Sequence, residues 1–409
     1  MRSEGTIMTI PPRELKGNSV KLLKEANKYL IFQCIMKLAP ISVEEIVKHT
    51  KLSRPTVLNI IRELSEENVI VKEGFSESSG GRSAALLGLN GEGHFALGVD
   101  FEFPTVRLAI ANMKGQIRAR ENLTYPQDIG KDELIADFHR RLNAFIESSG
   151  IPRRLIDGAG VGLSGVVDTV NGTSLNIERI RGWHNVAFRE DLEKCLQMPV
   201  YLKNDVHLMG LVEKRLYLGD AVSDFIYVGV RSGIGSIAYQ NNRPMNGDKG
   251  NAGFIGHATL DPHGPQCCCG SRGCLEVYAG KLAMVERYVA ESETRERVEF
   301  DEMVARARAG EKLANTVLTD AGFYFGIALA NLIKTLEIAY VVVGGSPALD
   351  NSPYMDAARR SMEDYITDNL GIRVNLQCGR LPEEQFALGG CYLVFDHLFS
   401  KPKLALSLI

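Results

Sequence analysis

The sequence lacks the features that mark membrane and secreted proteins. It contains no apolar run of the length that spans a bilayer, and residues 1–17 have no apolar core followed by a small-residue cleavage site. Its eight cysteines include a tight cluster at 267–274, which favours reduced thiols and metal ligands over disulfides. We therefore expect a cytoplasmic protein without a membrane span.

The chain also lacks a large excess of either charge, since 47 Lys+Arg stand against 50 Asp+Glu, a net charge of −3. The distribution is uneven, because residues 1–90 hold 13 basic and 10 acidic residues (+3) and the remainder holds 34 and 40 (−6). A basic head on an acidic body is compatible with nucleic-acid binding by the head. The length of 409 residues fits two or three domains, and 45% hydrophobic residues suffice for well-packed cores.

The first 88 residues predict three helices followed by a β-hairpin. Apolar residues recur at helical spacing over 19–38, and Pro40 ends that helix. Ser42 and Glu45 form a capping box for a short second helix, and Ser53 caps a third. Two extended runs then flank a polar tip with Gly80-Gly81-Arg82 at or near its end, which is typical of a β-wing.

The third helix predicts a surface for DNA. One side of it carries an apolar stripe, and the other carries the hydroxyl, amide and guanidinium groups that major-groove readout requires. Arg82 of the wing is expected to reach phosphates or a minor groove. The candidate DNA contacts are therefore Ser53, Arg54, Thr56, Asn59, Arg62 and Arg82. The alternative is a small helical bundle used for protein contacts.

Beyond residue 93, strands and helices alternate, which argues for α/β architecture. Three β-rich stretches between 95 and 125 precede an amphipathic helix over 132–146. Further strands are expected at 156–163, 200–202, 225–230 and 340–343, and further helices near 275–290, 300–309, 312–336 and 387–398. The two halves of this body show no sequence repeat of each other.

Residues 256–276 are the most informative stretch. They place His257, Cys267, Cys269 and Cys274 at a spacing that suits one tetrahedral zinc ion, and four protein ligands make a closed, structural site. Cysteines clustered beside a histidine in such a chain favour metal over disulfides. The alternative is a loop of buried free thiols. Cys268, a further thiol in the cluster, leaves the exact ligand set open.

This stretch, a Gly-His followed by C-x-C-G-x-x-G-C-L-E, resembles the zinc signature of the ROK family of sugar kinases and sugar-responsive repressors. The resemblance extends over roughly residues 18–398. It implies a winged helix-turn-helix at 1–88 and a two-lobed, actin-like and hexokinase-like (ribonuclease H-like) body. The first α/β lobe would comprise 89–203 plus 387–409, and the second 204–386. Kinases of the family generally lack the N-terminal segment, so its presence favours the repressor branch.

The segments that bind ATP in the family's kinases differ here. Those kinases carry Asp-x-Gly-x-Thr/Lys after the first strand, where glycine admits phosphate to backbone amides. This chain has Asp100-Phe-Glu-Phe-Pro104, so Phe101 and Glu102 are expected to fill that space, and Pro104 lacks an amide donor. Residues 229–235 and 344–345 still resemble the family's second phosphate loop and its nucleotide-proximal glycines. We expect no ATP-dependent phosphorylation.

The resemblance also implies a sugar site between the lobes, where a carboxylate and neighbouring polar groups would bind ligand hydroxyls. Its candidate residues are Asn185, Asn204, Asp205, Phe254, His257 and Glu276. Ordinary structural roles are the alternatives. Asp205 would then be a helix N-cap, Glu276 a partner of a helix dipole, Asn185 a turn residue, and the single tryptophan, Trp183, part of the core.

Phe254 departs from the family pattern, which has a glutamate there to accept hydrogen bonds from sugar hydroxyls. Phenylalanine offers an apolar face instead. Three interpretations stay open: a ligand with fewer or differently placed hydroxyls, weak binding of an ordinary sugar, or a site that no longer senses sugars.

The sequence thus predicts a DNA-binding transcriptional regulator, foremost a repressor of carbohydrate-utilisation genes, controlled by a sugar or sugar derivative in the cleft. We expect one structural Zn²⁺ per chain, a double-stranded DNA operator as partner, and a homodimer or homotetramer. The alternatives are a ROK sugar kinase with a fused DNA-binding head and a regulator controlled by a protein partner.

Overall fold

The chain forms two compact units in a computed structural model that describes residues 15–76, 83–346, 349–366 and 370–400, with side chains from residue 21 onward. The first unit contains the described residues up to Phe95, Asn112–Gln116 and the described residues from Phe395. The second contains Ala96–Ala111 and the described residues of Ile117–Val394. The domain limits predicted from the sequence stay a prediction.

The first unit combines three helices with a three-stranded antiparallel sheet in the order β1-β3-β2. Its elements are α1 (Leu15–Leu38), β1 (Ile41–Ser42), α2 (Val43–Thr50), α3 (Arg54–Glu66), β2 (Ile70–Phe75) and β3 (Ala85–Leu89). The predicted caps are confirmed, since the Glu45 amide donates to Ser42 Oγ, the Ser42 amide donates to the Glu45 carboxylate, and the Thr56 amide donates to Ser53 Oγ. The tip between β2 and β3, with Arg82, lies outside the described residues.

The second unit is built on two five-stranded sheets. The first contains β4 (Phe95–Glu102), β5 (Thr105–Asn112), β6 (Ile117–Thr124), β7 (Ile156–Leu163) and β11 (Val200–Asn204), in the order β11-β7-β4-β5-β6. The strands β8 (Val166–Asp168), β9 (Thr173–Asn176) and β10 (His184–Val186) form a small separate sheet. The second large sheet contains β12 (Phe225–Val230), β13 (Ile234–Gln240), β14 (Arg243–Pro244), β15 (Tyr340–Gly344) and β16 (Asn375–Cys378), in the order β14-β13-β12-β15-β16.

Both large sheets use their five strands in the same order. The strand that comes first along the chain lies in the centre, with the second and third on one side and the fourth and fifth on the other. The two halves therefore share a topology, although their sequences show no repeat. This confirms the predicted two-lobed α/β body.

Helices cover these sheets, and most were predicted from apolar periodicity. They are α4 (Lys131–Ser148), α5 (Phe188–Leu196), α6 (Asp205–Glu213), α7 (Glu276–Ala279), α8 (Lys281–Glu291), α9 (Phe300–Arg308), α10 (Lys312–Leu336), α11 (Pro353–Tyr365) and α12 (Leu388–Leu398). The helix expected near 275–290 is two helices, since Gly280 stands between α7 and α8 in an extended conformation. The helices α5, α6 and α11 were not predicted.

Among the described residues, one helix, α10, is long and apolar enough to cross a membrane by length and composition, contrary to the expectation that no segment is. In its most apolar stretch, 56% of the residues are buried inside the molecule. Its buried residues, such as Phe325 and Leu329, belong to the core that packs against β12 and β15. A core helix of a globular protein has these same properties, so α10 is weak evidence for a membrane span.

Candidate functional site

A cavity of about 410 Å³ lies where elements of both large sheets meet. Its wall includes Phe103 after β4, Asn204 and Asp205 at the start of α6, and the turn 231–233 between β12 and β13. Residues 251–254 also line it, as does the cysteine-rich loop, which runs from His257 to Glu276. Its size falls in the range of small-molecule sites, and its lining mixes apolar side chains with a few convergent polar groups.

The cysteine-rich loop brings the four predicted metal ligands together. Cys267 Sγ lies 3.6 Å from His257 Nδ1, and Cys269 Sγ lies 3.7 Å from Cys274 Sγ. All four donor atoms lie within 4.8 Å of one another, so the cluster can hold a metal ion. Zinc bonds of about 2.0–2.3 Å separate tetrahedral ligands by roughly 3.5–3.8 Å, and the donor set therefore fits zinc. Gly273 turns the loop at a φ of 59°, where an added Cβ would lie 1.7 Å from the Asp261 carbonyl oxygen.

Cys268 and Glu276 connect this loop to the cavity. Cys268 Sγ lies 3.7 Å from both Cys267 Sγ and Glu276 Oε1, and the donor atoms of His257, Cys268 and Glu276 form a second, overlapping group within 4.8 Å. The other Glu276 oxygen accepts a hydrogen bond of 3.0 Å from the Ile234 amide. This hydrogen bond connects the cysteine-rich loop to the turn between β12 and β13.

A buried cluster of ionisable side chains borders the cavity. Arg231 is 2% exposed and donates hydrogen bonds to three carboxylates, those of Asp100, Glu102 and Asp205, at 2.5–2.8 Å. Arg107 donates to Asp100 at 3.1 Å from the other side. Sequence reasoning missed both arginines. The available signal was the arginine inside the glycine-rich segment 229–235, since a guanidinium that becomes buried needs anionic partners.

Two carboxylates of this cluster, those of Asp205 and Glu102, have shifted pKa values. Burial raises the pKa of Asp205 to about 7. Arg231 acts to lower this pKa, but the neighbouring carboxylates of Asp100 and Glu102 act to raise it. Burial also acts to raise the pKa of Glu102, but Arg231 and Arg107 outweigh it and lower that pKa to about 2. The pKa of Arg231 lies well above its usual range, since burial is outweighed by the three carboxylates.

Backbone amides of the turn after β12 also have hydrogen-bond acceptors within the chain. The Ser232 amide donates to Glu102 Oε1 at 3.1 Å, and the Ile234 amide donates to Glu276 Oε2 at 3.0 Å. Two amides of the segment that resembles a phosphate loop thus have carboxylates of the same chain as their acceptors. Gly233 permits this approach, because an added Cβ would lie 2.3 Å from Glu276 Oε2.

Five of the six predicted ligand contacts line the cavity. They are Asn204, Asp205, Phe254, His257 and Glu276. Asn204 is also the N-cap of α6, since its Oδ1 accepts the amides of residues 206 and 207. Asn185 lies outside the cavity lining, exposed on β10 at a φ of 48°. The side chain of Phe254 is 46% exposed and presents its ring at the cavity wall.

Phe101 and Trp183 belong to the core. Both are 0% exposed, and their ring centroids lie 5.6 Å apart in a cluster with Phe138 and Phe188. The Trp183 ring nitrogen donates to Ser174 Oγ at 2.8 Å. The expectation that Phe101 fills the phosphate site is therefore wrong, because side chains alternate along β4 and Phe101 faces away from Asp100 and Glu102. Asp100 and Glu102 both contact the turn after β12, Asp100 through the Arg231 guanidinium and Glu102 through the Ser232 amide as well.

Of the candidate DNA contacts on α3, Arg54, Asn59 and Arg62 are exposed and Thr56 is partly buried. Val57 and Leu64 of the same helix are buried. Arg54 forms an exposed ion pair of 3.0 Å with Glu44 of α2. The hydroxyls of Ser53 and Thr56 lie 2.8 Å apart as part of the helix cap. The arrangement leaves the amide and guanidinium groups open to solvent, as a nucleic-acid contact needs.

Known proteins resemble this chain over most of its length. A xylose repressor from Caldicellulosiruptor bescii is 25% identical over 398 residues, covering 94% of this chain and 99% of the repressor. The regulator NagC of Escherichia coli is 26% identical over 345 residues, covering 82% of this chain and 84% of NagC.

Solved structures agree with the fold. A ROK family transcriptional regulator, homologous to the E. coli MLC protein, superposes with a TM-score of 0.77 at 23% identity, covering 92% of this chain and 97% of the regulator. A ROK hexokinase from Thermus thermophilus superposes with a TM-score of 0.60 at 26% identity, covering 74% of this chain and 99% of the hexokinase. The ROK family model itself matches residues 96–397. The chain therefore belongs to the ROK family.

Proposed function

We propose that the protein is a sugar-responsive DNA-binding transcriptional repressor that acts in the cytoplasm. The observation that carries this proposal is the extent of the similarity. The xylose repressor aligns with 94% of the chain, whereas the ROK hexokinase accounts for 74% of it. The unit of three helices and a small sheet precedes the family domain, which begins at residue 96. A repressor needs such a DNA-binding head, and a hexokinase does not.

The head is proposed to be a winged helix-turn-helix. Its α2 and α3 are joined by a turn at Lys51, which has a left-handed φ of 59°, and β2 and β3 would form the wing. The capped N-terminus of α3 would enter the major groove with Asn59 and Arg62 facing base edges. Arg54, Ser53 and Thr56 would contact phosphates beside it, and Arg82 of the wing would contact the backbone or the minor groove. Two heads of a dimer would read a symmetric operator.

The cavity is the proposed sugar site. About 410 Å³ accommodates a small sugar, and Asn204, His257 and Glu276 supply polar groups on its wall. Asp205 already accepts hydrogen bonds from Arg231 and the Val206 amide, so a sugar hydroxyl would use its remaining acceptor capacity. Phe254 presents an apolar ring where the family has glutamate, which favours a ligand with fewer or differently placed hydroxyls.

A zinc ion held by His257, Cys267, Cys269 and Cys274 would stabilise the loop that forms one wall of this cavity. The closed set of four ligands makes the ion structural. Through the hydrogen bond between Glu276 and the Ile234 amide, the loop would keep its carboxylate in place for the ligand. Metal content and ligand response are therefore expected to be lost together.

Sugar phosphorylation is not part of the proposed function. Phosphate loops bind nucleotides through free backbone amides, and here the Ser232 amide donates to Glu102. The Glu102 carboxylate would also repel a nucleotide phosphate. We expect no ADP release by the purified protein with ATP, Mg²⁺ and a panel of hexoses. Turnover that Asp205→Asn abolishes would contradict this part of the proposal.

Ligand control would act through the cleft. A sugar that binds more tightly to the form of the body unable to hold the operator would shift the protein away from DNA. The required differential affinity is modest, since a tenfold loss of operator affinity corresponds to about 1.4 kcal/mol.

Enrichment of genomic DNA fragments by the zinc-loaded protein, followed by sequencing, tests the proposal. We expect sharp peaks upstream of carbohydrate-utilisation genes, which a variant with alanine at both Asn59 and Arg62 loses. The sugars of the enriched pathway then form the panel for release of the protein from its site. Enrichment no higher than that of the double variant would refute DNA recognition by α3.

A further inference from the structure

The cavity is backed by a carboxylate site that already contains a cation. Arg231 Nη1 donates to Asp100 Oδ1 at 2.7 Å and to Asp205 Oδ2 at 2.8 Å. Its Nη2 donates to Asp100 Oδ2 at 2.7 Å and to Glu102 Oε2 at 2.5 Å. Four oxygens from three carboxylates therefore surround one guanidinium. We infer that Arg231 is the resident cation of this site and occupies the place of a divalent metal ion.

The origin of the four side chains supports this inference. Asp100 and Glu102 stand at the end of β4 in the first large sheet, and Asp205 is the first residue of α6. Arg231 follows β12 of the second sheet, and its guanidinium lies between the carboxylates of β4 and that of α6. Converging carboxylate oxygens from separate elements are what hard divalent cations such as Mg²⁺ and Mn²⁺ bind.

The carboxylates require a cation for electrostatic reasons. Asp100 and Asp205 are each 3–4% exposed, and ionised groups buried this deeply persist only when they are paired and hydrogen-bonded. A planar guanidinium serves all three carboxylates at once, including both oxygens of Asp100. Its carbon also lies 5.0 Å from the ring centroid of Phe386, a contact that a hydrated metal ion would not make.

A second arginine, Arg107, also pairs with the carboxylates of this cluster. Arg107 Nη1 lies 3.1 Å from Asp100 Oδ2, and its Nη2 donates to Glu383 at 2.8 Å. The position next to Asp205, however, is served by Arg231 alone among the ion pairs found in the described residues. Removal of Arg231 would therefore leave Asp205 without an ion-pair partner and Asp100 and Glu102 with Arg107 alone, as an acidic, oxygen-lined site. Ligands that bind through a bridging metal ion are excluded while Arg231 is present.

Titration of the zinc-loaded protein with Mn²⁺ tests the inference, with free Mn²⁺ measured by electron paramagnetic resonance. Zinc is retained at its thiolate ligands because it binds such sites more tightly than manganese. The variants are Arg231→Met, which keeps the apolar stem, and Arg231→Lys, which keeps the positive charge. We expect one Mn²⁺ per chain in Arg231→Met, at least tenfold tighter than in the parent or in Arg231→Lys. Adding Asp100→Asn to Arg231→Met should abolish that gain.

A folded Arg231→Met variant with parental zinc content and Trp183 emission, whose Mn²⁺ affinity stays within twofold of the parent, would overturn the inference. Where Arg231→Met is folded only marginally, its thermal midpoint is measured with Mn²⁺ and with Na⁺ at equal ionic strength. A rise of several degrees with Mn²⁺ alone supports a divalent site. Equal midpoints in the two salts count against it. Neither outcome depends on DNA or sugar binding, so the proposed function is tested separately.

Discussion

Replacing Phe101 by alanine tests which residue of the segment 100–104 closes the turn after β12. The ring of Phe101 is fully buried, and its centroid lies 5.3–5.6 Å from those of Phe138, Trp183 and Phe188. Truncation of a buried phenylalanine costs about 3–5 kcal/mol, and three aromatic partners favour the upper part of that range. Phe101→Leu conserves most of the volume and should cost less than about 1.5 kcal/mol.

The assay uses the single tryptophan of the chain as its probe. Trp183 lies in the same aromatic cluster, so its fluorescence during urea unfolding reports on the body of the protein. The shift of the midpoint, multiplied by the slope of the transition, gives the change in the free energy of unfolding. A loss below about 1 kcal/mol in Phe101→Ala would show that the ring is not a core residue.

A second measurement on the same variant separates Phe101 from Glu102. Binding of a non-hydrolysable ATP analogue should stay absent in Phe101→Ala, because the Ser232 amide still donates to Glu102. The matched variant Glu102→Gly frees that amide and removes the negative charge. Nucleotide binding gained in Phe101→Ala but not in Glu102→Gly would refute our placement of the two side chains.

Three further predictions concern the metal, the DNA surface and the buried acid. Cys269→Ser should lose zinc and ligand response together, whereas Cys195→Ser, outside the loop, should keep one zinc per chain by metal analysis. Arg62→Ala should weaken operator binding by about 1–3 kcal/mol if the side chain contacts a base, or reduce the salt dependence of binding by about one ion if it contacts a phosphate. Arg120→Ala, at an exposed position in the body, should change neither quantity. For Asp205, a folded-state pKa of about 7 against an ordinary value of 3.8 means that the proton is bound more tightly in the folded protein. Its contribution to stability is therefore fully present below pH 3.8 and lost as the pH rises through 7. The urea midpoint of the parent should therefore fall between pH 6 and 8, and this fall should be smaller in Asp205→Asn. An equal fall in the two proteins would contradict the raised pKa.

Much of the head was predictable because its determinants are local. The capping box of Ser42 and Glu45 and the cap at Ser53 each need only residues three positions apart, and both form as expected. The four candidate metal ligands lie within 18 residues of one another, and their thiolate and imidazole groups are what predict zinc. The placement of the DNA contacts stays a prediction.

The direction of the Phe101 side chain follows from the two-residue period of a strand. Side chains alternate along a strand, so Asp100 and Glu102 must share one face and Phe101 must take the other. Comparison with the family's Asp-x-Gly-x-Thr/Lys segment predicts that both Phe101 and Glu102 fill the phosphate space, although β4 continues to Glu102 and turns the two side chains to opposite faces. Applying the two-residue period would have placed Phe101 in the core.

The helix caps, the clustering of His257 with three cysteines and the alternation of strands and helices follow from the local pattern, since each depends on near neighbours along the chain. The surroundings of Arg231 follow instead from the packing of distant segments. Its partners Asp100 and Asp205 lie 131 and 26 residues away along the chain, on β4 and α6. Which charges meet in a cleft depends on how two sheets pack, and no local pattern encodes that distance. The cation at the back of the cavity therefore became visible only in the folded protein.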